Sequence, residues 1–204
     1  MEYMFCSFVS MATHLDQPIQ TEQFLNCCRA LSEMFDKLSA SAFSPIKSGF
    51  NTNIKLINDK YLTDKKRYST LEAILKEEKG RNYHTSKGSA STELLWLTRS
   101  LIFVSELFDN IEDKPTFYAA ITAAYEASVK QYHNFLVVGK AAPSKEVALE
   151  GFTINKGDTG KPGYTGCLYD SMYTYNDALS DVCSNIEDMF QKEADITIMH
   201  RPPS

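Results

Sequence analysis

Four histidines, five cysteines and the Gly160-Lys161 step are the residues whose types invite chemistry, and none stands at a spacing that chemistry needs. His14, His84, His133 and His200 form no H-E-x-x-H pair, and none has a second histidine at helical spacing to complete a metal site. Cys6, Cys27, Cys28, Cys167 and Cys183 are odd in number and contain no C-x-x-C. They read as buried free thiols in a reducing compartment, not as a zinc site, a disulfide framework or a nucleophile. Gly160-Lys161 resembles a phosphate loop only superficially. Asn155 stands where the first glycine belongs, Pro162 where Ser or Thr belongs, and no strand precedes it. No Gly-x-Ser-x-Gly elbow occurs. The expectation is a protein that is not an enzyme and uses no cofactor or metal.

Polar residues set into apolar helices remain. Asn53 lies in a stretch with Ile46, Phe50, Ile54 and Ile57. Trp96 and Arg99 interrupt the most apolar run of the chain, and with Phe103 they share one helix face. His133 follows Tyr132. Each alone is most simply a core or surface residue.

The elements that must carry these residues read as helices. Period-two alternation and Asn-Gly or Asp-Gly hairpin signals are absent, whereas apolar residues recur at three and four. A first helix is predicted over Thr21–Leu38, with Thr21 as its cap, and Ser44-Pro45 opens a second. A short helix follows at Thr70–Glu78, then a polar loop over Lys79–Gly88. Ser89 to Asn110 is apolar over so wide an arc that it belongs in the interior. Two further helices are predicted over Pro115–Val138 and Thr165–Gln191. Residues 151–166, with glycine at every third position over part of their length, read as a mobile loop; 1–18 read as a peripheral leader and 200–204 as a frayed tail.

Length and charge fit this picture. The 204 residues suit one domain, 1–204, that needs no staple to fold. A net charge of −5 argues against a general nucleic-acid binder. No run reaches the ~18 apolar residues of a membrane span, and the N-terminus has no basic signal-peptide region. A cytoplasmic, monomeric protein is expected.

Three stretches together resemble the glycolipid transfer protein family. They are Glu93-Leu94-Leu95-Trp96-Leu97-Thr98-Arg99-Ser100-Leu101; Ala124-Tyr125-Glu126 through Tyr132-His133-Asn134-Phe135; and Phe35-Asp36 through Phe43-Ser44-Pro45-Ile46-Lys47 to Asn53-Ile54. The resemblance implies an all-α, two-layer helical sandwich. It also implies a glycosphingolipid or related ceramide lipid as partner, carried between membranes with transient peripheral contact. It places the sugar on Trp96 with Asn53 and Arg99 beside it, the ceramide amide on His133, and the chains in an apolar tunnel that includes Phe35, Phe43, Ile46, Phe103 and Leu136.

Two positions depart from the family pattern. An aspartate is expected four residues before the asparagine and a lysine three after it, all on one helix face. Here those positions hold Gly49 and Leu56. Gly49 and Lys55 are kept as headgroup-region candidates, although Lys55 projects about 200° from Asn53. Lys60 returns to the face two turns away. A carboxylate anchor contributes about 1.5–3 kcal/mol, so an altered headgroup preference is expected. Transfer of a phosphorylated ceramide, and a lipid sensor that does not shuttle its ligand, are the alternatives.

Overall fold

The computed structural model describes residues 8–132, 142–152 and 164–199. The side chains of 38–42, 45, 151, 152 and 164–167 lie outside that description. The described residues contain no strand, only an isolated bridge between Gln20 and Thr70. Residues 8–12 are helical (α1), followed by α2 (Thr21–Thr63), α3 (Leu71–Gly80), α4 (Ala90–Ile111) and α5 (Phe117–Ala127). A 3-10 turn (Val129–Tyr132), α6 (Lys145–Phe152) and α7 (Tyr164–Ala194) complete them. No helix among the described residues is long and apolar enough to cross a membrane.

The α2 run is helical throughout but cannot be straight. A rise of 1.5 Å per residue would separate Ser32 from Asn51 by about 28 Å, yet the Ser32 hydroxyl donates to Asn51 Oδ1 at 2.7 Å. Arg29 donates to Asn58 at 2.7 Å, and Lys47 pairs with Asp36. Tyr61 donates to Glu22 at 3.3 Å. These partners step in opposite directions along the chain, so α2 is two antiparallel arms that reverse between Asp36 and Lys47. The sequence predicted that a first helix ends at Leu38 and a second starts at Ser44-Pro45; helical backbone instead runs through all these positions, because the arms reverse without a non-helical gap. Phe35 locks the reversal, stacking on Phe43 at 5.7 Å and meeting Phe50 edge-on at 5.6 Å. Phe43 reaches Phe117 of α5 at 6.1 Å. Each such pair contributes about 0.5–1.5 kcal/mol beyond its burial.

Four α-helices start at side-chain caps among the described residues. The hydroxyls of Thr70, Ser89, Thr116 and Ser144 accept from the backbone N–H three residues on, which satisfies a donor that has no partner within the helix. Thr21 does not cap α2. Gln20 occupies that position, and the buried Thr21 hydroxyl instead donates to the Tyr68 carbonyl at 2.8 Å.

Helix α4 lies at the centre, packed on α2, α3, α5 and α7. Its N-terminus rests on Glu78 of α3, a carboxylate only 2% exposed. Oε1 accepts from Ala90 N–H at 3.1 Å; Oε2 accepts from Ser91 N–H at 2.8 Å and from the Ser91 hydroxyl at 2.6 Å. An anion suits the positive end of the helix dipole.

Several boundaries differ from the sequence-based expectation. The helix expected to reach Val138 ends as α-helix at Ala127, because Ser128 leaves helical geometry and both its N–H and its hydroxyl donate to the Ala124 carbonyl. Helix α6 was not anticipated, and residues 151, 152 and 164–166, expected in the mobile loop, are helical. The rest of that loop and the tail at 200–204 lie outside the described residues. The peripheral-leader reading of 1–18 fails for Phe8 and Met11, which are buried. Tyr175 of α7 stands edge-on to Phe8 and to Phe108, each at 5.8 Å, and so joins α1 to the core. The apolar period there was too short to register before its tertiary partner was known.

Replacing Glu78 by Ala leaves the first N–H groups of α4 buried without an acceptor. We expect a loss of about 2–4 kcal/mol in urea unfolding, with Glu78→Gln, which retains one acceptor oxygen, losing less. Equal midpoints for both variants and the parent would show that water replaces the carboxylate.

Candidate functional site

Helix α4 positions three of the sequence-predicted residues. Phe103 is buried in the core, Trp96 is half-buried, and Arg99 is 8% exposed. The Arg99 guanidinium lies 4.8 Å from the Trp96 ring centroid and 3.5 Å from that of Tyr132. Its Nε–H donates to the Ile198 carbonyl at 2.9 Å. Burial pushes its pKa down from the ordinary value, and Tyr132 offsets this, but an arginine remains charged there. No carboxylate pairs with it among the described residues. Residues from α4, the 3-10 turn and the segment after α7 therefore meet at one cation. Neither Tyr132 nor Ile198 stood out in the sequence as a site residue; the Tyr-His string was the only signal for the first, and nothing marked the second.

The second arm of α2 carries the other group. Asn53 is half-buried, and its amide has no hydrogen-bond partner among the described residues. Gly49, one turn earlier, is exposed, with helical backbone. A Cβ added there meets no atom within 4 Å. Leu56 is half-buried. The arm thus presents an amide flanked by an open glycine and an aliphatic side chain, with no charge at either flanking position.

Nearby lysines are committed elsewhere. Lys55 is exposed and pairs with Asp59 at 2.5 Å. Lys60 binds Glu77 at 2.7 Å and sits 4.6 Å from the centre of the Tyr68 ring. That bond to Lys60 is the main reason the Glu77 carboxyl lies below the usual range, with Arg81 and Arg67 adding to it. Lys60 therefore does not replace a lysine at position 56.

The predicted apolar residues fall into two groups. Phe35 and Phe43 are fully buried, and Ile46 is partly buried against the same core. His133 and Leu136 lie outside the described residues. Cys27, Cys28 and Cys183 are buried, and none is in a disulfide with another described residue. Burial, foremost, pushes the Cys28 thiol up, away from the reactive thiolate. No group of three or more His, Cys, Asp or Glu among the described residues is arranged to hold a metal ion.

Known proteins resemble this chain in sequence and in fold. The sequence profile of the family described as "Glycolipid transfer protein (GLTP)" matches residues 19–146. Pleckstrin homology domain-containing family A member 8 of Mus musculus is 29% identical over 192 residues, which cover 91% of this chain and 37% of that protein. The chain thus spans little more than a third of such relatives. Glycolipid transfer protein A of Xenopus laevis is 34% identical over 160 residues, covering 72% of this chain and 76% of that one. A solved GLTP-fold structure, described as showing how FAPP2 selects simple glycosphingolipids, superposes with a TM-score of 0.83 at 27% identity, covering 94% of both chains. Human ceramide-1-phosphate transfer protein, solved with a bound 12:0 ceramide-1-phosphate, shares the fold, with a TM-score of 0.79 at 15% identity over 99% of both chains. The all-α, two-layer sandwich is the fold of this chain.

The open space at Gly49 generates a test of the departure there. Gly49→Ala should raise stability by about 1 kcal/mol, the helical cost of glycine, as read from chemical unfolding. Gly49→Asp combined with Leu56→Lys should fold and should raise binding of a glycolipid, followed through the emission of Trp96, the only tryptophan. Binding unaltered in a folded double variant would show that these two positions do not face the headgroup.

Proposed function

Because this chain belongs to the glycolipid transfer protein family, we propose that it binds a glycosphingolipid and carries it between membranes. The observation that supports this reading best is Trp96, half-buried on the central helix beside the Arg99 cation. A sugar offers C–H groups on its faces and hydroxyls at its edge. An aromatic plane suits the first, and an amide such as Asn53, half-buried on a helix that packs on α4, suits the second. The acyl and sphingoid chains require apolar burial, about 0.8 kcal/mol per CH₂, and the aromatic and aliphatic residues on α2 and α4 supply that environment. His133, immediately after Tyr132, is assigned to the lipid amide.

Charge separates a sugar from a phosphate. Phosphate recognition draws on two or more basic donors, bidentate arginine above all. Lys47, Lys55 and Lys60 are each paired with an acid. A phosphorylated ceramide remains the second reading on one observation, the absence of a carboxylate partner for Arg99 among the described residues. With no aspartate at position 49, the preference is for a simple neutral headgroup held by stacking more than by charge-assisted bonds.

Vesicle transfer decides between these readings. Donor vesicles of phosphatidylcholine carrying glucosylceramide should lose it to acceptor vesicles when the protein is added, and ceramide-1-phosphate should move more slowly. The reverse order would favour the phosphate reading. Binding without transfer would favour a sensor. His133→Leu should fold but lose about ten- to a hundredfold in uptake of both lipids, since the amide common to both would be buried unpaired. His133→Gln should retain more. Parental uptake by the leucine variant would remove His133 from the site.

A further inference from the structure

The environment of Arg99 is that of a strut. Helix α7 ends at Ala194, and Asp195 takes a left-handed conformation, with φ of 56°. Its carboxylate accepts from the Gln191 side chain at 2.9 Å, and the Ile196 N–H donates back to the Phe190 carbonyl at 3.3 Å. This turn directs the following residues back onto the core, where Ile198 and Met199 are buried. Lys79 of α3 donates to the Glu193 carbonyl, and Lys76 approaches the Glu193 carboxylate at 3.6 Å, which fixes the start of the turn. The Ile198 carbonyl is thereby presented to Arg99 Nε.

We infer that Arg99 is a positioning residue: its guanidinium, held by the Ile198 carbonyl and the Tyr132 ring, fixes the plane of Trp96, so the turn after α7 helps to set the platform on which a headgroup would stack. A planar guanidinium against an aromatic ring is attracted to its face and restricts its tilt. One face of the indole is thus engaged by the protein. The carbonyl matters because it uses Nε, which prevents the arginine from turning out of the stack. Without it, a long side chain with several rotatable bonds would place the cation loosely. The consequence for lipid binding rests on Trp96 being the headgroup platform proposed above; the fixing of the ring does not, and it can be measured without lipid.

The test uses the full chain with Arg99→Lys, which keeps the charge but loses the planar fork. In the lipid-free protein, the near-ultraviolet circular dichroism of Trp96 should weaken and its quenching by acrylamide should increase, with helical content unchanged. Titration with phosphatidylcholine vesicles containing glucosylceramide should show about a tenfold loss of affinity, whereas vesicles containing ceramide without a sugar should bind as before. Unchanged Trp96 signals would overturn the inference, even with a loss of affinity, because Arg99 would then act by direct contact or not at all. Equal losses for both lipids would overturn it too, since the effect would not pass through the platform. If Arg99→Lys fails to fold, Tyr132→Leu removes the opposite ring and should raise Trp96 quenching in the same way; no rise would reject the clamp. Failure of the parent to bind either lipid would reject the functional reading, while the lipid-free quenching would still decide the role of Arg99.

Discussion

A buried carboxylate at the start of α4 sets the frame of the molecule. Glu78 is out of water, and an isolated charge there would be strongly unfavourable. Three donors from Ala90 and Ser91 offset that cost, and they are groups that α4 cannot satisfy internally. Lys60 Nζ stands 4.0 Å away. The contact joins α3 to α4 and, through Lys60, to the second arm of α2. The helix that carries Trp96, Arg99 and Phe103 is therefore fixed at one end by electrostatics and along its length by apolar packing.

The neighbouring acid determines what the site lacks. Glu77 gathers Lys60, Arg67 and Arg81, and the Lys60 ammonium also covers the Tyr68 ring. A cation that periodicity places on the Asn53 face is thus held at the α2–α3 junction. Position 56 is aliphatic and position 49 has no side chain. In the site proposed above, the second arm offers shape and one amide, and the remaining polar contacts come from α4 and its surroundings.

On α4 the balance differs. Arg99 is nearly buried with no carboxylate partner among the described residues, and it is kept there by two aromatic rings and a carbonyl. Such a cation contributes geometry more than net charge. It ties three segments that are distant in sequence, and this is how residues 99, 132 and 198 come to act on one indole. The hairpin of α2 works by the same logic on the apolar side, where Phe35, Phe43, Phe50 and Phe117 connect both arms to α5.

Much of this was legible in the residues. The helix starts near Thr70 and Ser89 and the wide apolar arc of α4 are local signals, and each appears in the structure near its expected place, whereas the cap expected at Thr21 does not. The glycine and leucine that replace a charged pair on α2 were visible as plain substitutions. What local pattern could not carry was distance. The reversal of α2 leaves no gap in helical backbone, and only pairs such as Ser32 with Asn51 reveal it. Phe8 and Met11 belong to a stretch too short for periodicity, and they are core because Tyr175 is there. Arg99 read as a residue facing the headgroup, but its surroundings come from Tyr132 and Ile198. Sequence by itself determined the longer helical segments and the types of side chain they carry, though not the short α1 and α6, since apolar spacing acts within a few residues and needs several turns to register. Tertiary structure alone decided which of those side chains remain available to a ligand, because hydrogen bonds, ion pairs and stacking are claimed by whatever the fold brings within about 4 Å.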